Sequence, residues 1–201
     1  MVQRLVADAD PWHHTKTIAA DCHETVAILA KHLELTGISP NVAHICRNKN
    51  LTREKLTSAG LPQPKFACVN NLSDAKSFLS SIGNKGVIKA TDNSASRGFS
   101  KINFADELNE EVFEIAVMSG STGSVLVEEE IIPIKNDIAE LSVETLWFEG
   151  KMYWLNWVDR LFRDDLCYFP GLREKKIPMV NWGVEVGHIN PAEHSESTKT
   201  K

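Results

Sequence analysis

One lysine stands where an apolar pattern leaves least room for charge, and a second stands at a helix start. Lys89 interrupts the run "GVIKA" at 86–90, and Lys49 opens a helical stretch directly after "ICRN". A polar group buried without a partner is costly, so the Lys89 ammonium calls for an anion. After Lys89 comes "TDNSASRGF", small and polar residues with Arg97 and Gly98 at their end. Such a loop lets backbone N–H groups approach an anion closely. Further charges break apolar strands. Glu128 follows "VLV" and leads into Glu129 and Glu130. Glu140 and Glu144 share one strand face, because strand side chains alternate with period two. Arg160 ends "KMYWLNWVDR". Each feature has an ordinary alternative: a snorkelling lysine, a plain hairpin loop at 92–98, or the wetted face of a half-buried strand. Taken in order, they describe a lined cleft for a polyanion. A nucleoside triphosphate needs these parts. Ammonium groups neutralise phosphates, a loop of small residues covers them, an edge strand offers backbone groups to a base, and a carboxylate accepts from ribose.

The elements that must carry these residues alternate at first. Ile18, Ala19, Cys22, Val26, Leu29, Ala30 and Leu33 recur at helical spacing, and Gly37 closes the run. Ser39 and Pro40 read as the cap and first residue of a second helix. A third spans about 50–59 and ends at Gly60. Pro62 and Pro64 force an extended lead into a strand at 65–69. "SDAKSFLSSIG" is a short helix capped by Ser73 and stopped by Gly83. The Lys89 strand follows, then a strand near 99–104, then an acid-fronted helix over "DELNEEVFEIAVMSG". After Gly120, "SVLVEEEII", "AELSVETLWFEG" and "KMYWLNWVDRLF" are strand-like, the last two joined at 148–151 as a hairpin. Helix–strand alternation followed by antiparallel strands predicts an α+β fold in two lobes.

The bulk numbers narrow the classes. The 201 residues are 42% hydrophobic and carry a formal charge of −5. That balance argues against nucleic acid, whose binding rests on Lys and Arg. No apolar run is long enough to span a bilayer, and nothing at the start reads as a signal peptide. The four cysteines are scattered without a Cys-x-x-Cys pair, as in a reduced, cytoplasmic protein. His13, His14, Cys22 and His23 match no familiar zinc spacing, so no metal site is assigned. Neither a P-loop nor a dinucleotide fingerprint is present.

Between about 25 and 192 the chain resembles the ATP-grasp superfamily. Within it, the likeness is to carboxylate–amine ligases such as D-alanine–D-alanine ligase, biotin carboxylase and the carbamoyl-phosphate synthase domains. Five segments carry the resemblance in order: "GISPNVAHICRNKNLTREKLTSAGLPQPKFACV", "GVIKATDNSASRGFSKI", "SVLVEEEII", "AELSVETLWFEGKMY", and "WVDRLF" with "EVGHINPA". The resemblance implies that Lys49 and Lys89 contact the phosphates and the adenine side of ATP. Ser94, Ser96, Arg97 and Gly98 would form a lid over the triphosphate. Glu128 would face the adenine amino group, Glu129 to Ile131 would form the hinge, Glu140 would bind ribose, and Arg160 would contact substrate or acyl phosphate. It further implies a nucleotide and a small-molecule carboxylate as partners, and leaves a homodimer open.

Two departures from the family pattern shape the expectation. Ala95 stands where glycine is usual, leaving only Gly98 in the phosphate loop, so the loop should be stiffer. The Glu-x-Asn segment that holds Mg²⁺ in this family has no match, so the metal ligands of the parent family are expected to be missing from the chain. The expected organisation is therefore an ATP-grasp-like pair of lobes, incomplete at both ends, holding nucleotide between their sheets. Residues 1–36 form a preceding tail and linker helix, 37–120 the small lobe, 121–192 the start of the large lobe, and 193–201 a polar tail. The parent activity would be ATP-dependent ligation through an acyl phosphate, with little or no turnover by this chain alone. The alternative is a non-catalytic regulatory or interaction protein that keeps the fold; the sparse glycine favours it, and Lys49, Lys89 and Glu140 oppose it.

Overall fold

In the computed structural model, residues 22–94, 96–132, 140–161 and 187–192 are described. Among these residues three helices come first: α1 (His23–His32), α2 (Pro40–Arg47) and α3 (Lys49–Ser58). Ser39 caps α2 as expected. Its Oγ accepts from the Val42 N–H at 3.2 Å, and Pro40 fills the first turn, where its missing N–H costs nothing. Asn48 ends α2 and also starts α3, its Oδ1 accepting from the N–H groups of Asn50 and Leu51 at 3.0 and 3.1 Å. The first helix does not run on to Gly37. It stops at His32 because Glu34 turns left-handed, with φ 56°, and the Leu35 N–H closes onto Ala30 at 2.8 Å. Its expected start at Thr17 lies outside the described residues, as do His13, His14, Cys167, Ala95 and the tail from 193.

The sheet elements follow: β1 (Phe66–Val69), α4 (Leu72–Ser81), β2 (Gly86–Ala90), β3 (Ser100–Ile102), a 3₁₀ turn (Ala105–Glu107), α5 (Glu110–Met118) and β4 (Val125–Glu128). The cap of α4 is Asn71, not Ser73. Asn71 Oδ1 accepts from the Asp74 N–H at 2.9 Å, and the earlier start lets Leu72 join the turn that packs on the core. The four strands form one sheet in the order β1-β4-β2-β3, with β4 antiparallel to both β1 and β2. Thus the strand read from the sequence as the start of the second lobe lies inside this sheet.

Register sorts the side chains. Glu128 lies opposite Phe66 and Val87, and Leu126 lies opposite Cys68 and Lys89. Directly opposed residues share a face, and alternate residues along a strand switch faces. Ile88, Val125 and Val127 therefore face one way, into a core with Leu79 of α4 and Phe113 and Ala116 of α5. Lys89 and Glu128 share the other face.

The second set of strands is antiparallel: β5 (Glu140–Phe148), β6 (Lys151–Leu161) and β7 (Gly187–Ile189), in that order. Glu149 and Gly150 join β5 to β6, with φ of 47° and 73°. Two positive φ values in a two-residue turn match the right-handed twist of a hairpin. The hairpin is buried at its open end, at Val158, Asp159 and Leu161, and exposed towards the turn. By contacts the chain divides into two compact units, residues up to 98 with 102–129, and residues 99–101 with those from 130 onward. Helices with antiparallel strands in two units give the expected α+β class. No helix among the described residues is long and apolar enough to cross a membrane.

Candidate functional site

The cationic cluster is assembled within the first unit from α3, β2 and β4. Glu128, at the end of β4, is only 2% exposed, so its carboxylate cannot rely on water. Two cations reach it. Arg53 Nε, from α3, donates to Glu128 Oε1 at 2.5 Å, and Lys89 Nζ, from β2, pairs with Oε2. Burial pushes the Glu128 pKa up, but the Arg53 hydrogen bond and the Lys89 charge outweigh it, and the group sits below the ordinary glutamate value. Arg53 is itself held, because its Nη1 donates to Gln63 Oε1 at 2.7 Å.

Lys49 lies one helical turn before Arg53. Its backbone N–H donates to the Thr91 carbonyl at 2.7 Å, which ties the first residue of α3 to the chain just after β2. Its ammonium donates to the Asn93 carbonyl. Burial lowers the Lys49 pKa, and the neighbouring Lys89 charge lowers it further, while Asp92 pulls the other way. The two lysines singled out from the sequence thus come within electrostatic reach of each other from separate elements. Their mutual repulsion is what an incoming anion would relieve.

The loop after β2 is tied down at its base. Asp92 accepts from both the backbone N–H and the hydroxyl of Ser121. Burial raises the Asp92 pKa, but these bonds outweigh it and leave it lowered. Asn93 donates to the Ser119 carbonyl and accepts from Arg97 Nε and the Ser94 N–H, each at 2.8 Å. Arg97 also donates to Ser94 Oγ at 3.3 Å. Ser96 has φ 56° and Gly98 φ 69°. A Cβ on Gly98 would stand 2.4 Å from Ser119 Cβ, so this glycine is required by both conformation and space.

The remaining candidates divide between the units. Glu129, still in the first unit, is fixed to the residue preceding β1: its N–H donates to the Lys65 carbonyl at 2.8 Å, and its Oε2 accepts from the Lys65 N–H at 3.2 Å. In the second unit, Ile131 is exposed, Lys101 pairs with Glu130 at 2.6 Å, and Glu140 pairs with Arg160 directly across β5 and β6. A shallow groove of about 430 Å³ lies elsewhere, lined by Leu61, Pro64, Phe66, Phe78 and Ile82, and does not include either lysine.

Sequence reasoning missed Arg53, Asp92 and Asn93. Arg53 had a signal, since residues four apart share a helix face and Lys49 was already marked. Asp92 and Asn93 lay within the marked loop, but their partners at 119–121 are visible only in three dimensions.

No protein-family model and no curated protein matches the sequence. Solved structures do match. An L-amino acid ligase from Bacillus licheniformis aligns with 99% of this chain and 41% of its own, at 24% identity and a TM-score of 0.66. An N5-carboxyaminoimidazole synthetase from Staphylococcus aureus, complexed with ADP, aligns with 88% of this chain and 41% of its own, at 15% identity and a TM-score of 0.63. A D-alanyl-alanine synthetase A from Vibrio cholerae O1 biovar eltor aligns with 72% of this chain and 43% of its own, at 18% identity and a TM-score of 0.56. The chain spans about two fifths of the length of these three structures. Its fold is similar to that of ATP-grasp ligases.

Proposed function

We propose that this chain supplies the ATP-holding part of a carboxylate–amine ligase of ATP-grasp type. The observation that carries the reading is the convergence of Lys49 and Lys89 beside a buried carboxylate, at the base of the 92–98 loop. A fold shared with three ligases, one solved with ADP, supports it.

In such a ligase a carboxylate oxygen attacks the γ-phosphorus of ATP and ADP leaves. An amine then displaces phosphate from the acyl phosphate. Catalysis of the first step rests on positioning and charge neutralisation. Lys49 and Lys89 would meet the phosphate charge. Ser94, Ser96, Arg97 and Gly98 would cover it, with the loop base held by Asp92 and Asn93. The backbone of Glu129 to Ile131 would serve adenine. For Glu128 to accept from the adenine amino group, Lys89 would first have to release Oε2. Glu140 would meet ribose and Arg160 substrate beside the pair that they make with each other. The parent ligases use Mg²⁺. Among the described residues no group of three or more His, Cys, Asp or Glu side chains is placed to hold a metal ion.

Calorimetric titration with ATP and with ADP, with and without Mg²⁺, tests the reading. Binding is expected, together with a large loss in Lys89→Ala. No heat of binding at millimolar nucleotide overturns it.

A further inference from the structure

We propose that Arg53 is a positioning residue that keeps the buried Glu128 carboxylate paired on its own, so that the Lys89 ammonium can leave Glu128 for an anionic ligand. The affinity part of this proposal rests on the nucleotide reading above; the lysine-release part does not.

The argument starts from the carboxylate. Glu128 is 2% exposed and carries one cation on each oxygen, Arg53 on Oε1 and Lys89 on Oε2. One unit charge needs one counter-charge, so one of the two cations is in excess. They differ in how they are held. Arg53 is forked, with Nε on Glu128 and Nη1 on Gln63 at 2.7 Å. A planar guanidinium bound at two points is fixed in direction, whereas an ammonium on a four-carbon stem turns freely. Lys89 also has the second lysine close by, which repels it. Lys89 is therefore the cation that leaves. If Arg53 were absent, its departure would strand a buried charge, and the exchange would be strongly opposed. Arg53 need not touch the ligand to set how readily Lys89 reaches it.

The test compares wild type, Arg53→Met, Glu128→Gln and Arg53→Met/Glu128→Gln by acylation of lysines with an amine-reactive ester, read at Lys89 by mass spectrometry. No nucleotide is needed. Lys89 should react more slowly in Arg53→Met than in wild type, and should recover in the double variant, where no carboxylate remains to hold it. Equal reactivity in wild type and Arg53→Met overturns the proposal. Should Arg53→Met fail to give a native circular dichroism spectrum, Arg53→Gln takes its place: slower labelling of Lys89 than in wild type supports the proposal, and equal labelling refutes it. ATP titrations on the same proteins give the second readout. The fraction of protein with Lys89 available scales the apparent dissociation constant, so Arg53→Met should weaken binding roughly tenfold in the wild-type background and leave it unchanged in the Glu128→Gln background. Weaker binding by the double variant than by Glu128→Gln alone means that Arg53 contacts the ligand directly and overturns the positioning role. Failure of wild type to bind ATP removes the nucleotide reading while the labelling result still decides the release of Lys89.

Discussion

Glu128 shows how one buried carboxylate ties acid stability to the site. Its folded pKa lies below the unfolded value of about 4.3, so it contributes stability above that pH and loses it as pH falls through the folded value. Urea unfolding of wild type should therefore weaken as the solution is acidified below about pH 4, more steeply than in Glu128→Gln, which lacks this proton. Parallel slopes for the two proteins would contradict the assignment. Removing both cations should cost more than the sum of the separate losses, because either one alone still balances the carboxylate. Arg53→Met/Lys89→Met leaves a bare buried charge, a situation that costs about 3–5 kcal/mol. Lys49 carries the opposite sign. Its pKa is lowered in the folded chain, first by burial and then by Lys89. A bound polyphosphate should raise it again, so binding in alkaline buffer should take up protons. Titration in buffers of different ionisation enthalpy measures this, and Lys49→Met should abolish the uptake. Lys89 was legible because it breaks an apolar strand, and Lys49 because it stands at a helix start. It hid the pairing of Arg53 with Glu128, which spans 75 positions and exists only once the β2–β4 register is set.

At the scale of elements, two glycines fix how backbone segments approach. Gly98→Ala meets both a left-handed φ and the Ser119 side chain, while its own carbonyl accepts from the Ala90 N–H at 3.2 Å. The conformational penalty alone is about 1–2 kcal/mol. The variant should unfold at lower urea and also weaken nucleotide binding, since the loop base must shift. Gly86→Ala would place a Cβ 2.4 Å from the Glu128 carbonyl oxygen and push β2 away from β4. Much of the element order could be read directly, because Ser39–Pro40, the 62–64 prolines and the 148–151 turn are local signals. The errors arose where a tertiary demand overrode a local one. Leu72 is drawn into α4 by the core, which moves the cap from Ser73 to Asn71, and Glu34 ends α1 before Gly37 is reached.

At the scale of the molecule, the two units carry different reporters. Every α-helix among the described residues belongs to the first unit, and the described tryptophans, Trp147, Trp154 and Trp157, belong to the second. With Trp12 replaced by Phe, the described helices report on one unit and the described tryptophans on the other. Separate urea midpoints for the two signals would show the units unfolding apart, and coincident ones a single cooperative transition. The change in pattern after Gly120 was legible as a run of strands, but not which sheet each strand joins: β4 pairs with β1 and β2, while β5 and β6 pair with each other. One main-chain bond has a wider consequence. The Lys49 amide is fastened to the Thr91 carbonyl, so the helix that bears one ammonium and the strand that bears the other share a rivet. The distance between their backbones is therefore set by the main chain, and only the two side-chain stems are left to adjust.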